Sequence, residues 1–194
     1  MSVGRPRNRE RTTDELIAAA RELVEERNYE TIRVRDVAER AGCNHGLITQ
    51  YFGTKLGLFT AVLHSLAADI NAGVTAQPAS AGMVTHPVTA TYWRLLAALL
   101  EAGLDPATAL VAGSPAIESI VRRASELSGT DLEHGRPIAG FAILMAGGFH
   151  VFGETMMHII APSGDPAEAV ENFRRALIAM MTGVAAEAAS RPVG

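Results

Sequence analysis

Apolar residues recur every three or four positions through most of the chain, and this spacing predicts helices rather than strands. The first run predicts a helix of about 15 residues with one buried side. Its members are Leu16, Ala19, Ala20, Leu23 and Val24. Thr12-Thr13-Asp14-Glu15 places a hydroxyl three residues before a carboxylate, which is the pattern of a capping box. We therefore place the start of this helix at Thr12. Its end is expected near Asn28, whose short polar side chain suits a left-handed terminus.

Two shorter helices are predicted next, and a glycine marks the corner between them. The apolar residues of the first are Val34, Val37, Ala38 and Ala41. Gly42 follows at the usual place for a left-handed helix end, and Asn44 can cap the next helix. The apolar residues of that second helix are Leu47, Ile48, Tyr51 and Phe52. Two short helices joined by about three residues are typical of a helix-turn-helix unit, whose inner sides the first long helix would cover.

The remainder of the chain predicts further helices and no sustained strand alternation. Gly53-Thr54 separates the second short helix from a longer one over 55–70, and the Ala-, Gly-, Ser- and Pro-rich residues 71–87 predict a loop. Later helices are expected at about 88–103, from Asp105-Pro106, at 116–128, at 138–161 and at 167–189, with a polar loop over 128–137 and a break at 162–166. The chain is therefore predicted to be all-α, with a small N-terminal unit and a larger helical body.

Charge and composition narrow the class of protein. The net charge is −4, yet residues 1–55 hold ten Lys or Arg against nine acidic residues, whereas residues 56–194 hold seven against twelve. Four arginines fall within the first eleven residues, and a basic segment on an acidic body hints at a polyanion site. The single cysteine excludes an internal disulfide framework. The charged N-terminus and the lack of a long uncharged apolar run predict a cytoplasmic protein without a membrane span.

Residues 16–63 resemble the DNA-binding domain of the tetracycline-repressor (TetR) family. The residues that carry the resemblance are Val34-Arg35-Asp36-Val37-Ala38-Glu39-Arg40-Ala41-Gly42, then Gly46, Tyr51-Phe52-Gly53-Thr54-Lys55 and Leu58-Phe59. The resemblance implies a homodimeric transcriptional regulator, usually a repressor, that is not an enzyme and needs no cofactor. It implies a three-helix DNA-binding domain over 1–55, with a basic arm over 1–11, and an effector-binding and dimerisation domain over 56–194. The dimer contacts are expected in the last two helices, near 137–161 and 166–189.

The residue types of the second short helix also suit a reader of the DNA major groove. Gln50 can pair with adenine through two hydrogen bonds, and Thr49 can offer its hydroxyl or methyl group to a base. Tyr51 suits a phosphate contact, and Lys55 opens a helix whose free N–H groups already attract anions. The predicted DNA-contacting residues are Arg33, Asn44, His45, Gly46, Thr49, Gln50, Tyr51 and Lys55. The arginines of the arm could reach the DNA backbone or the minor groove of a palindromic operator.

Three positions depart from the family pattern or invite another chemistry. Arg33 stands where the family usually has Ser or Thr, so the side-chain cap of that helix is expected to be lost. Thr49 stands where relatives often have Tyr, so a base preference does not carry over from them. Cys43 stands between two helices, where a small apolar residue is common, and we interpret it as packing. A metal site there would need more ligands than Cys43 and His45.

Apolar residues of the body are candidates for lining an effector pocket, although core packing is their commoner role. These residues are Trp93, Leu96, Leu100, Ile117, Phe141, Met145, Phe149 and Phe152. The expected effector is therefore largely apolar. His150, Glu154 and His158 lie within one predicted helix and could instead form a metal or polar site, which would favour a metal-binding or enzymatic protein. Polar groups satisfied within a helix interface are the alternative.

Four glycines in the same stretch are unusual, because each destabilises a helix by about 1 kcal/mol relative to alanine. They are Gly140, Gly147, Gly148 and Gly153. Close helix approach at a dimer interface, space for a ligand, or a kink would each explain them, and the sequence leaves all three open.

Overall fold

The computed structural model describes residues 6–76, 88–109, 115–153 and 155–190, and every regular element within those ranges is helical. The predicted all-α fold is therefore confirmed. The helices are α1 (Pro6–Glu26), α2 (Val34–Arg40), α3 (Gly46–Phe52), α4 (Lys55–Ala76), α5 (Thr89–Glu101), α6 (Pro106–Ala109), α7 (Pro115–Ser128), α8 (Leu132–Phe152), α9 (Met157–Ile160) and α10 (Pro166–Ser190), with a 3₁₀ turn at Tyr29–Thr31 between α1 and α2.

The chain divides into two compact units. The first consists of Met1–Asp69 and Arg94–Val111, and the second consists of Ile70–Trp93 and Ala112–Gly194. Helices α4 and α5 each contribute residues to both units. The apolar stripe predicted for α1 is buried throughout. The other large side chains buried in the first unit include Ile32, Val37, Ile48, Leu58, Phe59, Val62, Leu63, Leu66 and Leu99.

Helix α1 begins well before its predicted start. Pro6 fits the first helical position, because its missing N–H needs no partner there. The capping box predicted at Thr12 is therefore wrong: these residues lie inside the helix, and Thr13 Oγ1 donates a hydrogen bond to the Arg9 carbonyl oxygen one turn earlier, at 2.9 Å. The basic arm is helical from Pro6 onward, and Arg5 lies outside the described residues. The left-handed end predicted at Asn28 is also wrong, since this residue is extended (φ −69°, ψ 143°).

Helices α7 and α8 pack closely in the second unit through small side chains. Ala124 of α7 and Ala139 of α8 belong to one buried cluster. A Cβ atom at Gly135 would overlap the Ser125 side chain, so glycine is required for this approach. Helix α10 adds Phe173, whose ring stacks on that of Phe149 with centroids 4.5 Å apart.

Helix α8 differs from its prediction at both ends. It begins inside the stretch predicted as a polar loop, because the Asp131 carboxylate accepts a hydrogen bond from the His134 N–H (2.9 Å) and caps it. Pro137 consequently lies inside α8. The helix ends at Phe152, and the apolar run resumes as the short helix α9. The prediction of one helix through 138–161 is therefore wrong.

The other predicted helices are confirmed with shifted ends. Helix α4 continues to Ala76, past its predicted end at Ile70, and residues 77–87 of the predicted loop lie outside the described part. Pro106 opens α6 as expected. Among the described residues, α8 alone is long and apolar enough to cross a membrane by those two criteria, which the core helices of soluble proteins also meet.

Candidate nucleic-acid interface

Helix α2 ends in a left-handed glycine turn. Gly42 has φ +64°. Its N–H donates to the Glu39 carbonyl oxygen at 3.1 Å, and the Cys43 N–H donates to the Ala38 carbonyl oxygen at 2.9 Å. These two bonds form a Schellman motif, which satisfies the last carbonyls of α2 and turns the chain sharply. The predicted role of Gly42 as the helix end is confirmed.

Asn44 opens the next helix. Its Oδ1 accepts a hydrogen bond from the Gly46 N–H at 2.8 Å, which is the geometry of an N-cap. The Leu47 N–H already donates to the Asn44 carbonyl oxygen at 3.0 Å, so the helical turn begins at Asn44 although α3 is assigned from Gly46. The predicted cap is confirmed, while a DNA contact by Asn44 stays a prediction.

Helix α3 has a buried side and an exposed polar side. Ile48 is only 1% exposed, and Leu47 and Phe52 are half-buried. Four of the predicted DNA-contacting residues form the exposed side, and they are His45, Gly46, Thr49 and Gln50. Positions three and four apart are neighbours on a helix surface, so the spacings 45/49, 46/49 and 46/50 bring these four together on one side.

The corner between α3 and α4 also depends on glycine. Gly53 has φ +74°, and Thr54 Oγ1 caps α4 by accepting a hydrogen bond from the Gly57 N–H at 3.0 Å. A Cβ atom at Gly57 would overlap the Phe52 carbonyl oxygen, so only glycine permits this corner. The sequence analysis does not identify Gly57 as a functional position. The signal that could have identified it is a glycine in the first turn of an apolar helix.

Lys55 lies at this corner, and its ammonium is held within the first unit. Nζ donates to the Tyr29 carbonyl oxygen at 2.7 Å and lies 4.0 Å from the centroid of the Tyr29 ring. The Phe59 ring centroid is 5.9 Å away. Burial lowers the pKa of Lys55. A phosphate contact by Lys55, as predicted, would have to share the ammonium with Tyr29.

Arg33 begins α2 without an acceptor in its side chain. Its backbone N–H donates to Asp36 Oδ2 at 2.9 Å, and Arg27 Nη2 donates to the same oxygen at 3.1 Å. The side-chain cap from position 33 is absent, as predicted, yet Asp36 supplies the reciprocal half of a capping box. The Arg33 side chain is exposed, which leaves its predicted phosphate contact sterically open.

Arg40, for which the sequence predicts no role, joins α2 to α1. Its Nη1 and Nη2 donate to the two carboxylate oxygens of Glu26 at 2.8 and 2.9 Å, and Nη1 also donates to Glu22 at 3.1 Å. Paired bonds of this kind fix geometry as well as add energy. Arg40 therefore orients α2, and with it the turn and α3, against α1. The residues that form this contact lie on two helices, so no local pattern reveals it.

Tyr51 is half-buried near the end of α3. The guanidinium of Arg9 lies over its ring, with Cζ 5.1 Å from the ring centroid. This contact joins the N-terminal part of α1 to the predicted recognition helix.

Cys43 fills the turn between α2 and α3. It is half-buried, and burial raises the pKa of its thiol, which is the opposite of an activated nucleophile. Among the residues that the structure describes, no three His, Cys, Asp or Glu side chains are placed to hold a metal ion.

The polar site predicted in the body depends on a single helix that carries both His150 and His158. His150 lies in α8 and His158 lies in α9, beyond the end of α8 at Phe152. The prediction that one helix carries both His150 and His158 is therefore wrong. Glu154 and the side chain of His158 fall outside the described residues. The His150 ring meets the Phe149 ring edge-on, with centroids 5.9 Å apart.

The residues proposed to line a pocket fall in different environments. Leu96 and Leu100 belong to the first unit and the others to the second; Leu96 is buried and Leu100 is exposed. Met145 and Phe149 pack with Phe173, and Ile117 packs on the cluster between α7 and α8. Phe141 and Phe152 are 46% and 59% exposed. The lining role of the set stays a prediction.

The four glycines of this stretch separate into different roles. A Cβ atom at Gly147 would lie 2.9 Å from the Trp93 ring, so Gly147 allows α5 and α8 to approach each other. A Cβ atom at Gly153 would overlap the Phe149 carbonyl oxygen at the end of α8. A Cβ atom added at Gly140 or Gly148 would meet no other atom within 4 Å.

Comparison with known proteins adds an independent observation about this interface. Residues 16–62 match the family described as "Bacterial regulatory proteins, tetR family". Over 61 residues the chain is 41% identical to an HTH-type transcriptional regulator of Mycobacterium bovis and to an HTH-type transcriptional repressor of Mycobacterium tuberculosis, covering 31% of this chain and 32% of each relative. The aligned part thus spans about a third of the length of these relatives. The matched residues contain α2, the glycine turn, α3 and the corner that leads into α4, and over this segment the chain is similar to the tetR family of bacterial regulatory proteins.

Proposed function

We propose that this protein is a DNA-binding transcriptional regulator that places α3 in the major groove of its operator. The observation that carries the proposal is the exposed polar side of α3 opposite the buried Ile48. A helix held in this way can enter a groove about 12 Å wide and present its outer side chains to base edges. The match of residues 16–62 to the tetR family supports the same function.

Base and phosphate contacts are divided between different residues. Thr49 and Gln50 are exposed on α3 and are the residues we assign to base readout. The phosphate contacts fall to the flanking groups Arg33, Tyr51 and Lys55, which fix the register of the protein on the duplex. His45 and Gly46 complete the groove-facing surface, and the missing side chain at Gly46 permits close approach of the backbone.

A second copy of the chain is the partner we assign to α8 and α10. Helix α8 buries Ala139, Ala142 and Ala146 and exposes apolar side chains elsewhere. Leu132 is exposed at the start of the helix, and those on its later turns are Phe141, Leu144, Val151 and Phe152, with Leu144 72% exposed. Helical spacing gathers them on one side of α8, and Met180 of α10 is also exposed. Large exposed apolar surfaces usually mark an interface, and α8 and α10 from two copies would form a four-helix interface.

A dimer would present two α3 helices to the DNA, so the operator would be palindromic. Its half-sites would lie about 34–36 Å apart, which is one turn of the double helix. Repression by exclusion of the polymerase is the expected outcome, and one relative is named a repressor. In this role the protein acts in the cytoplasm without catalytic residues or a cofactor.

Release from DNA is proposed to follow binding of a small, largely apolar effector within residues 56–194. An effector that binds one conformation more tightly than the other shifts the population toward it. Helix α4 contributes residues to both units, so it is the element we propose to transmit the change.

Footprinting on the DNA that flanks the protein's own gene tests the proposed function. We expect a short protected palindrome. A variant carrying Thr49→Ala and Gln50→Ala keeps the buried Ile48 and serves as the matched control. We expect this variant to lose the footprint while its melting temperature stays that of the wild type. Uniform protection of unrelated DNA, or no protection at any site, would count against sequence-specific regulation.

A further inference from the structure

We propose that Arg9 is a positioning residue for Tyr51, so that the N-terminal part of α1 belongs to the DNA-binding surface. The inference rests on the proposed function and deepens it. It names a pair of side chains, one on α1 and one on α3, that acts as a unit toward one stretch of the DNA backbone.

The geometry places the Arg9 guanidinium over the face of the Tyr51 ring, with Cζ 5.1 Å from the centroid. Tyr51 is half-buried in α3, whereas Arg9 is exposed. A cation over an aromatic face is attracted by the electron density of the ring, and Arg can stack there while its N–H groups still donate to another partner. The pair can therefore offer guanidinium N–H groups and a phenolic O–H to neighbouring phosphate oxygens.

Arg9 is held on a helix rather than on a flexible arm. Helix α1 already begins at Pro6, and Thr13 Oγ1 donates to the Arg9 carbonyl oxygen at 2.9 Å. The backbone that carries the guanidinium is therefore ordered before DNA arrives. Such preorganisation reduces the conformational entropy that binding would otherwise remove.

Arg11 lies on the same helix as Arg9 but contacts a different kind of partner. Its Nε lies 3.3 Å from Glu15 Oε1. Within the described part of the chain, no carboxylate oxygen lies within ion-pair distance of Arg9. The charge of Arg9 is therefore shared with the Tyr51 ring instead of being neutralised by an acid, and Arg11 provides a matched control for a positive charge on the same helix.

A double-mutant cycle on one operator fragment tests the inference. The variants are Arg9→Ala, Tyr51→Ala and the double variant. We expect Arg9→Ala to weaken DNA binding about fivefold for each bound DNA-binding domain, and Arg11→Ala to weaken it less. In the Tyr51→Ala background, the loss caused by Arg9→Ala should nearly disappear. Equal losses in both backgrounds would show that Arg9 does not act through Tyr51.

The free protein gives a second readout that does not depend on DNA. With isotope-labelled tyrosine, the ring resonances of Tyr51 should shift in Arg9→Ala and stay unchanged in Arg11→Ala, while Arg9→Lys, which keeps a cation over the ring, should restore part of the shift. An unmoved Tyr51 signal in Arg9→Ala would overturn the inference even if the wild-type protein binds its operator. A wild-type protein that binds no DNA would instead overturn the proposed function, and with it the DNA role of the pair.

Discussion

The Lys55 ammonium lies 2.7 Å from the Tyr29 carbonyl oxygen and 4.0 Å from the centroid of the Tyr29 ring. These contacts join the first residue of α4 to the 3₁₀ turn between α1 and α2. The Tyr29 and Phe59 rings meet edge to face with centroids 5.2 Å apart, so the ammonium adjoins an aromatic pair that closes this corner of the first unit. Helix α3, the proposed recognition helix, ends beside the same corner, at Phe52.

Replacement of Lys55 by Met should therefore lower the free energy of unfolding by about 1–2 kcal/mol, because a hydrogen bond from a charged donor and a cation–aromatic contact are lost. Urea unfolding of the free protein measures this change. Arg33→Met removes a positive charge from another predicted phosphate contact and is the control, with no change expected in stability. If Lys55 also contacts a phosphate, the salt dependence of DNA binding falls by about one ion in Lys55→Met. A stability equal to that of the wild type would refute the structural role of Lys55.

The turn between α2 and α3 could be predicted from the sequence because its determinants are local. Gly42 and Asn44 act on backbone groups within a few residues of themselves, and each is recognisable by residue type. Ile48 is buried as its helical spacing predicts. The contacts of Lys55 with Tyr29 and of Arg9 with Tyr51 lack this property, because they join segments that meet only in the folded chain.

The missed helix ends have a different cause. The first residues of α1 are charged and form no apolar stripe, so periodicity cannot detect them. Helix α8 contains Gly135 and Pro137 near its start, and both usually indicate a loop. The Asp131 cap and the packing of Gly135 against Ser125 outweigh these local preferences.

Gly147→Ala should lower the free energy of unfolding by about 1–2 kcal/mol. The added Cβ would lie 2.9 Å from the Trp93 ring, and the resulting overpacking outweighs the gain in helix propensity. Trp93 is the single tryptophan of the chain, so its fluorescence emission should shift as well. The control is the same substitution in a Trp93→Phe background, where the smaller ring leaves room and the loss should shrink. An equal loss in both backgrounds would mean that Trp93 is not the obstructing group.

The Asp131–His134 pair at the start of α8 should make stability depend on pH. Its side chains are 2.8 Å apart, and the Asp131 hydrogen bond and charge raise the pKa of His134 above its usual 6.5. Bonds from the backbone and side chain of His134 lower the pKa of Asp131 below 3.8. The stabilisation by His134 is complete below pH 6.5 and is lost as pH rises through the folded pKa, whereas that by Asp131 is lost only as pH falls through its lowered pKa.

The melting temperature of His134→Ala should therefore fall further below that of the wild type at about pH 5.5 than at about pH 8. Asp131→Asn keeps an acceptor for the backbone cap and removes the charge, so in that background the effect of His134→Ala should no longer change with pH. If His134→Ala lowers the melting temperature equally at both pH values in the wild-type background, the ion pair is excluded as the source of the lost stability.

Leu144→Glu should dissociate the proposed dimer. Leu144 is 72% exposed within the chain, so the substitution leaves the fold of one copy intact but would place a charge in the interface that we propose for α8, where its desolvation is unfavourable. Sedimentation velocity measures the change in mass. Arg122→Glu changes the charge of an exposed residue on α7 and should leave the mass unchanged. A monomeric wild type, or a Leu144→Glu protein that remains dimeric, would remove α8 from the interface.

Gln50→Ala should reduce sequence preference more than affinity for DNA in general. Gln50 is exposed on α3 opposite Ile48, which is 1% exposed, so its removal leaves the core untouched. A bidentate amide–adenine pair discriminates against the wrong base by about 1–3 kcal/mol, whereas random DNA is bound chiefly through phosphates. Binding to the operator should therefore weaken by about tenfold or more, while binding to a random duplex at the same salt concentration and the salt dependence of both stay nearly constant. Arg33→Met, which removes a predicted phosphate contact, should weaken both duplexes alike and is the matched comparison. Equal losses for Gln50→Ala on the two duplexes would remove Gln50 from base readout and leave Thr49 and His45 as the side chains able to read bases on this surface.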